Sequence, residues 1–200
     1  MTAPASLQDL LDREAIRECL HRYCRGIDRA DEAALRSAYW PDATDSHGAY
    51  QGSATGFIEQ ALPKLRAGGR YFHAICNMGI DLDGDMAAVE SYFLALQVSA
   101  SAATQETFLA GRYLDRFSRR EGEWRIAART VVYDWIEERE RPELVAGDAL
   151  FGPRTPVGSR WPTDCVYALA TQERDGPHPT EQRPHFASRT SSASPRNPIR

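Results

Sequence analysis

The chain has 200 residues, of which 42% are hydrophobic and 26% charged, with a formal net charge of -4 and a sequence pI near 5.8. That length supports one good core, and the apolar residues thin out after Trp161, so a second domain is not expected. Arginines scattered among Asp and Glu give no basic stripe for nucleic acid, and no apolar run is long enough to cross a bilayer.

The opening stretch MTAPASLQDLLDRE has neither the basic start nor the apolar segment of an export signal, which predicts a cytoplasmic protein. Over residues 7–27, Ile16, Leu20, Tyr23 and Ile27 recur at helical spacing and predict a seam facing a core, with Gly26 loosening its end. Asp31 reads as the N-cap of a short second helix through Tyr39, closed by the Trp40-Pro41 break. Asp28 then stands at a corner between helices, in a last turn whose dipole disfavours a carboxylate, so it calls for a partner. Residues 43–50 predict a strand. Residues 53–67 predict a third helix, interrupted late by Pro63 and stopped at Gly68-Gly69.

The period then changes to two. Over residues 71–82, Phe72, Ala74, Cys76, Met78, Ile80 and Leu82 alternate with Tyr71, His73, Ile75 and Asn77. A turn at Asp83-Gly84-Asp85 leads to a strand over 86–98, and strands over 107–118 and 124–135 meet across Glu121-Gly122. The order is an α+β pattern: early helices, then a meander of long antiparallel strands whose covered face leaves a cavity at its mouth. Domain limits follow as 1–140 for the folded unit and 141–171 for an extension docked on it or on a neighbouring subunit. The polar, Pro- and Ser-rich tail, 172–200, is expected to be disordered.

Polar residues on faces that should be apolar are the candidates for chemistry. Taken singly, His73 reads as a satisfied core histidine and Arg129 as a snorkelling residue on an exposed sheet face. Taken together they say more. A histidine general base needs a fixed tautomer, and a carboxylate on its far nitrogen supplies it, which makes Asp28 the natural partner of His73. Arg129 in the same cavity would hold a leaving anion, and Tyr23 would donate to an oxygen. Tyr23 and Asp28 lie roughly 140° apart around an ideal helix, so they flank a pocket without touching.

In the stretch DSHG, Asp45 and His47 share a strand face, as a second acid–base pair in the pocket or as a wet edge; the sequence leaves both open. Tyr39, Trp40, Phe57, Phe72, Phe108 and Tyr133 are expected as pocket walls, with Asn77 on the His73 face and Trp161 nearby. The stretch DLDGD mimics the start of a calcium loop, but its twelfth position is Tyr92, and a hairpin turn is the better account. His21 reads as a surface residue, and His178 and His185 belong to the tail. Cys19, Cys24, Cys76 and Cys165 form no CxxC pair and read as free thiols. No metal-ligand trio and no phosphate loop appear, so the expected chemistry uses no metal and no cofactor.

The strings LLDREAIRECLHRYCRGIDRADEAALRSAYWPDATDSHGAYQG, YFHAICNMGIDLDGDMAAVESYF and GRYLDRFSRREGEWRIAARTVVYDW resemble the SnoaL-like branch of the nuclear transport factor 2-like superfamily, over about residues 7–137. The resemblance implies a cone-shaped α+β barrel, with N-terminal helices packed in a strongly curved, mostly antiparallel sheet around a deep pocket. At motif level the chain resembles members such as hexachlorocyclohexane dehydrochlorinase, bile acid 7α-dehydratase and scytalone dehydratase. Their acid matches Asp28 and their strand histidine matches His73, which implies a base dyad. A tyrosine five residues before the acid matches Tyr23, and an arginine five residues after the strand tryptophan matches Arg129 after Trp124. The bile acid enzyme places its arginine nearer Tyr133, and Asp45 stands where the dehydrochlorinase has an aromatic wall. A more polar pocket argues for an oxygenated substrate over a chlorinated alkane.

The function this implies is a cofactor-independent lyase acting on a small aromatic or alicyclic substrate in aromatic-compound catabolism. Water loss is the first expectation, formaldehyde release by carbon–carbon cleavage a close variant, and isomerisation a third. Two readings from other classes are a non-catalytic ligand-binding module and a structural subunit like the small subunit of ring-hydroxylating dioxygenases. A dyad buried in a cavity discriminates against both. The expected partners are a small molecule and further copies of the chain, as a homodimer or homotrimer built through the apolar outer sheet face.

Overall fold

A computed structural model describes residues 6–102, 104–140, 147–148, 152–153 and 155–169. Helix α1 spans Leu7–Arg29, opened by Ser6, whose side chain accepts from the Asp9 N–H. Its predicted seam is buried, with Ile16, Leu20 and Tyr23 almost fully covered. Gly26 does not loosen the helix, which runs on to a left-handed cap at Ala30. Its role is closeness: a Cβ at Gly26 would stand 2.7 Å from the Leu35 backbone, so α2 (Glu32–Ser37) packs directly on it. The Asp31 side chain caps α2 by accepting from the Ala34 N–H, as its sequence position predicts.

No break follows at Trp40-Pro41. Helix α2 ends at Ala38, and strand β1 (Tyr39–His47) begins at once. Pro41 fits there because the pairing of β1 is irregular between Tyr39 and Thr44. The predicted strand 43–50 is divided at Gly48 (φ 62), and β2 (Tyr50–Ser53) folds back on β1. Helix α3 (Ala54–Arg66) starts at the Ser53 cap and runs through Pro63 without breaking.

Four long strands follow: β3 (Gly69–Asp83), β4 (Met86–Ser99), β5 (Gln105–Arg120) and β6 (Glu123–Glu140). The sheet order is β2-β1-β6-β5-β4-β3, with β1 parallel to β6 and the other pairs antiparallel. It is a curved, mixed sheet that does not close, since β2 and β3 remain its edges. Helix α1 lies against the inner face, where Tyr23 meets Tyr39 and Tyr113 edge-on.

Bulges set which side chains face inward. On β3, Ile75 pairs with Phe93 and Met78 with Ser91, so β3 carries one extra residue. The inner face therefore reads Tyr71, His73 and Ile75, then Met78, Ile80 and Leu82, instead of one unbroken alternation. Two expected pocket residues are therefore outside: Asn77 is exposed within the bulge, and Phe72, ahead of it, is 56% exposed because it alternates with the inward His73. On β6 an extra residue near Ala127 does the same, carrying the inner face from Trp124 and Ile126 to Arg129 and Val131.

The C-terminal stretch lies against the ends of α1 and α3 and the start of β3. Arg160 donates to the Leu65 and Gly69 carbonyls, at 2.8 and 2.7 Å. The Trp161 N–H donates to the Arg29 carbonyl, and the Tyr167 hydroxyl to Asp31. The expected disordered tail, with His178 and His185, falls outside the described residues. Among the described residues no helix is long and apolar enough to cross a membrane.

Candidate active site

The corner carboxylate has its partner. Asp28, in the last turn of α1, accepts from the backbone N–H of His73 at 3.0 Å and meets the ring Nδ1 at 2.6 Å. Both side chains are largely covered, at 11% and 6% exposure. These charge-assisted contacts offset the unfavourable helix dipole at that position. With Nδ1–H assigned as the donor to Asp28, the Nε2 edge carries a lone pair. The ring lines a cavity of about 290 Å³, together with Tyr23, Ile27, His47, Phe57 and Tyr71. Gln97, Ser99, Thr107 and Lys64 give the same cavity polar groups.

A second histidine, His47, lines the same cavity, and the carboxylate of Asp45 is buried behind it rather than on a wet edge. Asp45 is 1% exposed and accepts from the Tyr39 hydroxyl at 2.6 Å. Its other oxygen, Oδ1, lies 3.6 Å from the His47 Nδ1, and both atoms are buried without a hydrogen bond. His47 stacks on Phe57 with ring centres 4.5 Å apart and meets Tyr133 edge-on at 6.4 Å. Tyr133 is therefore a neighbour of His47, its phenol pushed up by burial and by the charge of Asp45.

Arg129 is deeper than expected and is absent from the cavity lining. Its guanidinium makes a bidentate pair with Asp115, with both bonds at 2.7 Å and both side chains at 0% exposure. The ring of Tyr23 lies 4.1 Å from it and that of Tyr113 4.0 Å. Asp115 takes two of its nitrogens and the third, Nη1, is buried without a partner, so the guanidinium does not reach the cavity. It fixes the ring of Tyr23, which does line it. Asp115 escaped the sequence reading. The signal was available, since Asp115 is an acid between Tyr113 and Phe117 on an inward face, directly across β5 and β6 from Arg129.

Burial pushes the phenols of Tyr23, Tyr39 and Tyr113 well up, against the pull of the Arg129 charge. Tyr23 is thus a neutral hydrogen-bond donor rather than a ready source of protons.

Trp40 is not a pocket wall. Tyr39 turns inward, which sends Trp40 to the opposite side, where its indole N–H donates to the Ser118 carbonyl and Arg120 and Arg125 flank its ring. Phe72 points away from the cavity because it alternates with the inward Tyr71 and His73, and Asn77 leaves it through the β3 bulge. Cys19 and Cys24 are buried and Cys76 and Cys165 exposed, all as free thiols. Among the described residues no three His, Cys, Asp or Glu side chains come together as a metal site.

The SnoaL-like domain family matches residues 8–130. No curated protein is significantly similar to the chain. Among solved structures, a type 2 hexachlorocyclohexane dehydrochlorinase (LinA) is similar at 20% identity and TM-score 0.63, covering 70% of this chain and 96% of that one. The type 3 enzyme from Novosphingobium barchaimii LL02 is similar at 21% identity and TM-score 0.60, covering 70% and 97%. A candidate scytalone dehydratase from Novosphingobium aromaticivorans DSM 12444 follows at 17% identity and TM-score 0.59, covering 74% and 97%. At these identities the likeness is one of fold. With the domain match spanning more than half of its length, the chain belongs to the SnoaL-like family of the nuclear transport factor 2-like superfamily.

Proposed function

We propose that the protein is a cofactor-independent lyase in which His73, held by Asp28, takes a proton from a small aromatic or alicyclic oxygenated substrate. The observation that carries this reading is the two-point grip of Asp28 on His73, which leaves the Nε2 edge to the cavity. A histidine that only filled space would need one partner, not a carboxylate fixing both its backbone and its ring. Solved relatives that are a dehydrochlorinase and a candidate scytalone dehydratase support an elimination. Tyr23 donates a hydrogen bond to substrate, and Arg129 positions Tyr23 instead of touching the leaving group.

Water loss is the reaction the site suits best, because His47, with Asp45 buried behind it, makes one end of the cavity polar, where a hydroxyl would leave. Release of formaldehyde, with the same base taking the proton of a primary alcohol, is the variant within this class, and isomerisation the alternative. The protein would act in the cytoplasm, in aromatic-compound catabolism. Its homodimer or homotrimer would form through the outer sheet face, where Tyr92, Leu94, Leu96 and Leu114 are exposed.

The test uses 5-nitrobenzisoxazole, an aromatic probe that opens to a coloured phenolate once a base removes its ring proton. The wild-type protein should accelerate this opening, and His73→Ala should lower the rate by about 10²- to 10⁴-fold. Equal rates in the two proteins would remove the base assignment.

A further inference from the structure

The inner wall contains a second histidine–carboxylate pair that the base assignment leaves unused. His47 belongs to β1 and His73 to β3, strands separated in the sheet by β6, β5 and β4. They line one cavity because the curved sheet brings them together across it. Each has a carboxylate on its Nδ1 side, at 2.6 Å for His73 and 3.6 Å for His47.

The second pair is unfinished in a telling way. Asp45 is 1% exposed, one oxygen receives the Tyr39 hydroxyl, and the other, facing His47, is buried with no partner. His47 Nδ1 is likewise buried and unpartnered. A small rotation of either side chain would close the gap to a hydrogen bond, the kind of contact that tightens when substrate binds. Phe57 stacks on the ring of His47, and both line the cavity. The other groups around it are Tyr133, edge-on at 6.4 Å, and Lys64, on the same cavity wall.

We propose that His47, oriented by Asp45, is the acid of the reaction and protonates the leaving oxygen. The proposal rests on the lyase reading above. His73 Nε2 takes the proton from carbon, and the electron pair of that C–H bond becomes the second bond of a carbon–carbon double bond. The carbon–oxygen bond breaks with its pair on oxygen, and the His47 Nε2 proton completes a water molecule. One proton has then passed from His47 to His73 overall, and exchange with solvent restores both. The substrate class follows: a ring compound with a hydroxyl leaving group one carbon away from the acidic C–H. Asp45 is a positioning residue, and its negative charge balances the imidazolium that His47 must be before it donates.

The test is the nitrogen-15 spectrum of the full chain labelled at histidine, recorded near neutral pH, with His47→Gln and His73→Gln for assignment. The expected result is a proton on both ring nitrogens of His47, with one lost in Asp45→Asn while the His73 signals stay in place. A bare Nε2 on His47 would overturn the proposal. A protonated Nε2 on His73 would instead remove the base reading and leave the His47 assignment standing. Kinetics give a second readout. His47→Gln should slow the opening of unsubstituted benzisoxazole, whose phenolate leaves poorly, about tenfold more than that of the 5-nitro compound. Equal losses on both would mark His47 as a structural residue and overturn its role as acid.

Discussion

The Asp28 carboxylate engages His73 twice, at the ring Nδ1 and at the backbone N–H, so one side chain fixes both the strand position and the ring edge of the other. Asp28→Asn separates the two functions. The amide oxygen can still accept from the backbone N–H, but the amide N–H would donate to Nδ1 and drive the ring proton onto Nε2. The predicted outcome is a fall in elimination of about 10²- to 10⁴-fold, with stability changed by no more than about 1–2 kcal/mol. Urea denaturation and 5-nitrobenzisoxazole kinetics on the same preparation check both halves.

The Asp115–Arg129 pair makes the opposite prediction, of a stability effect that precedes any catalytic one. Both side chains are fully covered, so Asp115→Ala leaves an uncompensated guanidinium in the core. Such losses cost about 3–5 kcal/mol. The double variant Asp115→Leu/Arg129→Met should be less destabilised than Asp115→Ala alone, because no lone charge remains buried. Denaturant midpoints of the three proteins decide it, and a double variant at least as destabilised as Asp115→Ala would contradict the account.

Much of the fold was legible because the periods are clean. The α1 seam, the Asp31 cap, the third helix and the four long strands all follow from the sequence pattern. Asp28 and His73 were legible for a related reason: each is polar where its element should be apolar or cationic. What stayed hidden depends on single-residue slips and on partners distant in sequence. The β3 bulge moved Asn77 off the cavity, and bulges leave no mark in a pattern of period two. Arg129 was read without Asp115 because only strand register sets them opposite one another. The anchoring of Arg160 was invisible because its acceptors, the Leu65 and Gly69 carbonyls, carry no sequence signal.

The buried phenols and thiols predict an alkaline limit to stability. Burial raises Cys19 to about 11 and Cys24 to about 12, and raises Tyr23, Tyr39 and Tyr113 as well. The unfolded chain loses these protons from pH 9 to 10 upward, at the ordinary values of 9.0 and 10.0, while the native state keeps them. The unfolded state then binds fewer protons, so stability is complete below that range and declines as pH rises through it. Urea midpoints across that interval should fall steadily. In the native protein a thiol reagent should react rapidly with Cys76 and Cys165 and slowly with Cys19 and Cys24.

Gly26 tests how tightly α2 sits on α1. On helix propensity alone, Gly26→Ala would add about 1 kcal/mol of stability. The new methyl would instead meet Leu35 Cα, N and Cβ at 2.7 Å, and two of those atoms are backbone that cannot turn aside. Overpacking of this kind costs about 1–3 kcal/mol, and we expect a lower melting temperature with α2 displaced. A melting temperature above that of the wild type would show that the helix pair can separate freely.

The most direct measurement of the central claim is a double-mutant cycle on proton removal, comparing wild type, His73→Ala, Asp28→Asn and the double variant with 5-nitrobenzisoxazole. If carboxylate and imidazole form one base, the double variant is no slower than His73→Ala alone, because Asp28 acts only through the ring. Rates close to wild type in both single variants, or losses that multiply in the double variant, would contradict it.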